Sequence, residues 1–126
     1  MREIKFRCWD KENKEMLDVE YLHWDDCTGE FSIRTTMYSD YFDTGDMILM
    51  QYTGLKDKNG KEIYEGDIVE VTRPCIYETG TIVFKNGCFF IKVKETLLAL
   101  WECKPNNYEL KAIGNIYENP ELLEDK

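Results

Sequence analysis

The thirteen residues TIVFKNGCFFIKV, from Thr81 to Val93, restrict this chain more than any other stretch. Two runs of β-branched and aromatic residues flank Asn86-Gly87, the dipeptide that best accepts the two positive φ angles of a type I′ turn. An antiparallel hairpin is therefore expected here. Alternation then places Ile82 and Phe84 on one inner face, and either Phe89 or Phe90 must also point inward.

Other segments extend the β reading. EIKFRC alternates, with Ile4, Phe6 and Cys8 on one side and Glu3, Lys5 and Arg7 on the other. VEYLHW and FSIRTTMY read as two more strands around the loop DDCTGE, where Gly29 is free to take a positive φ. MILMQYTG reads as a strand buried on both faces or nearly so, and IVEVT as a strand stopped by Pro74. ETLLALWE fits two helical turns or a strand equally well. YELKAIGNIY reads as a last strand broken at Gly114. NPELLEDK reads as a short C-terminal helix, with Asn119 as cap, Pro120 in the first turn and Glu121 near the positive end of the dipole.

Roughly seven or eight short strands with frequent turns predict a mainly β fold, a small antiparallel β-barrel or sandwich with a short C-terminal helix. A single domain over 1–126 is expected, with a division into an N-terminal lobe 1–46 and a barrel lobe 47–126 near the acidic loop SDYFDTGD. The 13% aromatic content suits pleated, half-buried surfaces.

Charge and cysteine usage exclude several classes. With 25 acids against 16 bases the formal net charge is −9, which repels polyanions and anionic membrane surfaces. Cys8, Cys27, Cys75, Cys88 and Cys103 are odd in number and widely spaced, with no C-x-x-C, which argues against a disulfide framework or a zinc ribbon. Reduced and mostly buried thiols in a cytoplasmic protein are expected. No run of about 18 apolar residues is present, so no membrane span is predicted. MREIKFRCWD has no apolar signal-peptide core.

The stretch TGLKDKNGKEIYEGDIVEV, residues 53–71, carries the densest charge pattern. Counted from Asp57, an EF-hand loop would need glycine at its sixth position and glutamate at its twelfth. Glycine comes at the fourth, and Ile68 stands where the glutamate should be. A turn at Asn59-Gly60 with Asp57, Lys58 and Lys61 as solvated flanks explains the residues better. Glu65 and Asp67 lie one residue apart. A glycosidase pair would straddle a sugar from distant segments, so a tight bend at Gly66 with Asp67 bonding backbone amides is the preferred reading.

His23, the single histidine, sits near Asp25, Asp26 and Cys27. In a strand it faces away from Trp24 while the acids fall in the turn, so a structural or surface role is expected, and one histidine excludes sites that need two or three. No P-loop, dinucleotide, nucleophile-elbow or zincin motif is present. No catalytic residue, metal or cofactor is expected. Thr79 to Lys94 holds three lysines and no acid. Lys85, Lys92 and Lys94 beside Phe84, Phe89 and Phe90 are the candidate single-strand nucleic-acid face, against a plainer reading as core aromatics with solvated lysines.

REIKFRCWD, MQYTGLKDKNGKEIYEGDIV, GTIVF and AIGNIYENPELL, in that order, make the chain similar to the YopX family. The resemblance spans nearly the whole chain. It implies a β-rich, barrel-containing fold found mainly in bacteriophages and prophages, with no established activity and no catalytic residue to carry over. The segments Tyr38–Asp46 and Glu95–Asn107 match no family motif.

A non-enzymatic protein-interaction or assembly module is therefore expected, with a protein partner or a homo-oligomer and a bacterial cytoplasmic location. Tyr38, Tyr41 and Phe42 are candidate interface aromatics, with a folded-back loop that fills the core as the equal alternative. A single-stranded nucleic-acid binder using Lys85, Lys92 and Lys94 is the alternative, and a hydrolase using Glu65 or Asp67 comes third.

Overall fold

The structure is a computed structural model and describes residues 3–35, 41–43, 47–74 and 76–123. Its contacts group into two compact units, Met1–Gln51 and Tyr52–Lys126. Tyr38, Cys75 and the side chains of Tyr41 and Phe42 lie outside the described residues.

In the first unit β1 (Phe6–Asp10) pairs antiparallel with β2 (Glu15–Trp24) and with the start of β5 (Met47–Lys56), while β3 (Phe31–Thr35) joins β2 to β4 (Tyr41–Asp43). The small core holds Cys8, Leu17, Ile33 and Met47, with Val19, Leu22 and Leu49 packed against it. The alternation of EIKFRC holds at Cys8, which is fully buried, and fails at Ile4, which is 64% exposed. The reason is that β1 begins only at Phe6, so Ile4 precedes the paired backbone. Asp10 closes the next turn by accepting from the backbone N–H groups of Glu12 (3.0 Å) and Asn13 (3.2 Å). At the following hairpin Gly29 takes φ +76°, and Asp25 accepts from the N–H groups of Cys27 and Thr28.

In the second unit β6 (Glu62–Tyr64) pairs with the end of β5. A five-stranded antiparallel sheet follows in the order β10-β9-β8-β7-β11, made of β7 (Asp67–Arg73), β8 (Ile76–Lys85), β9 (Cys88–Val93), β10 (Thr96–Ala99) and β11 (Glu109–Asn115). Asn86 and Gly87 turn β8 into β9 with φ +52° and +79°, as the hairpin signal requires. The core face carries Val69, Val71, Ile82, Ile91 and Leu110, and Ile63 of β6 packs on it with Leu55 alongside. Burying several such aliphatic side chains, each contributing about 1.5–3 kcal/mol, holds the β5–β6 hairpin against the sheet. Ambiguous ETLLALWE divides into β10 and a short 3-10 turn, Leu100–Glu102. The predicted break at Gly114 is a register shift against β7 between Ala112 and Gly114.

Two expectations need correction. The sheets do not close into a barrel: β10 and β11 are the two ends of the five-stranded sheet and do not pair with each other. The C-terminal helix is a four-residue 3-10 turn, Pro120–Leu123. Asn119 does not cap it with its side chain. Its Oδ1 instead accepts from the backbone N–H of Asn115 at 3.2 Å, directed back toward β11. An added Cβ at Gly114 would lie 2.5 Å from that same oxygen, so a larger residue there would displace the Asn119 side chain.

Cys8, Cys27, Cys88 and Cys103 are all free thiols. Cys8 and Cys103 are buried, but Cys27 and Cys88 are exposed, against the expectation of mostly buried thiols. Cys88 is exposed because it lies beside the hairpin turn, and Cys27 because it lies within a loop.

Candidate functional site

The charged stretch 53–71 is a structural joint. Asp57 is 8% exposed and is no solvated flank. Its Oδ1 accepts from the N–H groups of Asn59 and Lys61, both at 2.9 Å, and its Oδ2 from the N–H of Ala112 at 2.9 Å. Backbone bonds Lys58 N–H to Leu110 O and Gly60 N–H to Asp57 O complete the joint. Burial pushes the Asp57 carboxyl up, but the three backbone donors and nearby Lys61 outweigh it and hold it below the ordinary aspartate value. Expecting a turn here identifies Asn59 and Gly60. It misses the bond to β11, because no local pattern announces a partner 55 positions away.

Glu65 and Gly66 form the turn between β6 and β7, with Gly66 at φ +85°. Asp67 is 2% exposed, and its Oδ2 accepts from the N–H of Tyr64 at 2.8 Å. The pair is thus a bend held by a carboxylate, not two acids facing a common cleft. His23 is exposed on β2, and Asp25 spends its carboxylate on the loop backbone. Among the described residues no group of three or more His, Cys, Asp or Glu side chains is placed to hold a metal ion, and no helix is long and apolar enough to cross a membrane.

The β8–β10 surface has two faces. Ile82, Ile91 and Leu98 lie in register across the three strands on the core face. Thr81, Lys92 and Leu97 lie in register on the outer face, as do Val83, Phe90 and Ala99. Lys85 pairs with Cys88 on that outer face, about 13 Å along β9 from Lys92 by strand rise. Lys94 is in the β9–β10 turn at φ +55°. The three lysines therefore do not converge on one point, although Lys85 and Lys92 share a face with Phe90 between them. Phe89 is the inward phenylalanine and packs on the core. Phe84 shares Ile82's face yet is 48% exposed, because it lies beyond the core near the turn, edge-on to Phe89 at 4.9 Å.

β10 is an edge strand of the five-stranded sheet. Its sequence is TLLA, with no lysine, proline or bulge to block pairing, and Leu97 is 39% exposed. Trp101 follows at 63% exposure. Below it the thiol of Cys103 donates to Ala99 O at 3.8 Å, and burial, aided by Glu102, raises its pKa to about 11. The sequence signal for this edge is weak, because ETLLALWE has no period that separates strand from helix.

Comparison with known proteins places the chain. A family model described as YopX protein matches residues 5–124. Among solved structures, protein EF1440 from Enterococcus faecalis is similar at 32% identity and a TM-score of 0.70, covering 98% of this chain and 100% of that one. The protein yopX from Bacillus subtilis is similar at 26% identity and a TM-score of 0.67, with the same coverage. Among curated proteins none matches. With a family model spanning nearly its full length and whole-chain structural relatives beside it, this chain belongs to the YopX family.

Proposed function

We propose that the protein is a non-enzymatic interaction module that receives an extended segment of a partner protein along β10, in a phage or prophage setting in the bacterial cytoplasm. The observation that carries this reading is the unguarded edge. β10 pairs with β9 on one side and, among the described residues, with no strand on the other, and exposed Leu97 and Trp101 offer apolar contact beside that open side. Strand addition draws affinity from the main chain and specificity from alternate side chains. Tryptophan is among the residues enriched at interface centres. The net charge of −9 favours a different protein over a second copy, since two such chains repel.

The non-enzymatic part rests on Asp67 and Asp57, whose carboxylates serve the backbone. The test is affinity purification from cells that naturally make the protein, with light scattering, comparing the wild type with Leu97→Lys and Trp101→Ala. A partner held by the wild type and lost from both variants is expected. A strict monomer that retains nothing, or a partner held equally by all three, would sink the reading.

The shared outer face of Lys85, Phe90 and Lys92 supports a second reading, a platform for single-stranded nucleic acid. Labelled single-stranded DNA and RNA titrated across a salt series decide it: binding that weakens steeply with salt is expected. The overall negative charge stands against it.

A further inference from the structure

Within the second unit, a cleft of about 440 Å³ opens between the end of β5 and the segment that leads from the Leu100–Glu102 turn into β11. That volume lies in the range of small-molecule sites. Tyr52, Leu55, Tyr108 and Leu110 give it apolar and aromatic walls. Lys56, Lys58 and Lys104 also line it, against only two carboxylates, Asp57 and Glu109. Three lysines on one small cleft run against the charge of the chain as a whole, where acids outnumber bases 25 to 16.

Both acids are already engaged. Asp57 gives its two oxygens to three backbone N–H groups. Glu109 lies 3.9 Å from the Lys58 ammonium. Among the described residues Lys56 and Lys104 have no ion-pair partner. Both are exposed and free of a salt bridge, although Glu62 is the residue opposite Lys56 across β5 and β6. Each ammonium offers three donors on a flexible stem, able to reach an anionic group at the mouth. Tyr52 is 5% exposed and packs on Tyr64 at 5.4 Å, so the half-buried Leu55 and Tyr108 supply the accessible surface for a flat apolar body. Cys103 also lines the cleft, but its buried thiol stays protonated near neutral pH and adds no charge.

We propose that this cleft is a binding site for a small molecule with a flat apolar body and an anionic group, such as an aromatic carboxylate, sulfonate or phosphate ester. The aromatic body seats against Leu55 and Tyr108, and Lys56 and Lys104 hold the anion. This site is separate from the β10 edge and does not depend on it.

The test uses 1-anilinonaphthalene-8-sulfonate as the anionic probe and N-phenyl-1-naphthylamine as its uncharged counterpart. Saturable one-site fluorescence binding of the sulfonate is expected, weakened about tenfold in Lys56→Gln/Lys104→Gln while the neutral probe is unaffected. Amide-shift mapping on the unaltered protein should centre on Gly54, Leu55 and Tyr108. Equal sulfonate affinity in the wild type and the double variant would overturn the proposal. So would shifts confined to Leu97 and Trp101, or binding that never saturates.

Discussion

Asp57 Oδ2 accepts the backbone N–H of Ala112 at 2.9 Å, so one carboxylate ties the loop after β5 to a strand 55 positions later. Because the other oxygen is used twice within its own loop, removing the side chain orphans donors on two elements at once. Asp57→Ala is expected to lower stability by about 3 kcal/mol, and Asp57→Asn, which keeps an acceptor, by about 1–2 kcal/mol. Urea denaturation of the three proteins checks both values and their order.

The same residue predicts acid sensitivity. The folded-state pKa values of Asp57 and Asp10 are depressed, the latter because backbone and side-chain donors at Glu12 and Asn13 outweigh burial. Their stabilisation is complete above the unfolded aspartate value of about 3.9 and is lost as pH falls through the lower folded values. Stability should therefore hold from neutral pH down to about pH 4 and fall below it. Asp57→Asn should fall less steeply over that acid range, as followed by melting temperature against pH.

Gly60 sits at φ +85° with nothing within 4 Å of an added Cβ, so backbone strain alone sets the effect of substitution. Gly60→Val should lower stability by about 1–2 kcal/mol, with Gly60→Asn milder. An unchanged melting temperature in the valine variant would contradict this turn geometry.

Gly80 presents the opposite case. Its φ is ordinary, but an added Cβ would lie 2.6 Å from Ile91 Cγ2 and 2.8 Å from the Lys92 carbonyl oxygen. The backbone oxygen cannot step aside, so Gly80→Ala should cost about 1–3 kcal/mol by overpacking between β8 and β9. Calorimetry reads this directly.

Thiol chemistry should divide the cysteines. Burial raises the pKa of both Cys8 and Cys103 to about 11, helped at Cys8 by Asp10 and Asp18. Neither forms appreciable thiolate at neutral pH. Iodoacetamide labelling of the native protein, mapped by mass spectrometry, should modify Cys27 and Cys88 and spare Cys8 and Cys103 until urea is added.

Local chemistry is what the sequence makes legible. Asn86-Gly87, Gly29 and the break at Gly114 are read correctly because a turn or bulge depends on a few adjacent residues. Barrel closure is misjudged because whether β10 meets β11 depends on the accumulated twist and stagger of five strands, which no single segment encodes. The role of Asp57 is half legible: a short acid before Asn-Gly announces a turn, while the bond to Ala112 exists only once β11 arrives. The cleft is the least legible, since its lysines come from residues 56–58 and 104, which only the fold brings together.

The strand order also separates local from long-range pairing. β7, β8 and β9 each bond to the next strand along the chain, so the β7–β10 meander needs only short loops to close. β11 must return past three strands to reach β7, which closes a longer loop at a larger entropy cost. Until it docks, Asp57 has no Ala112 to receive and the cleft has no far wall. A ligand that needs Tyr108 and Lys104 in place would therefore bind only the finished molecule, and would slow the peeling away of its last strand.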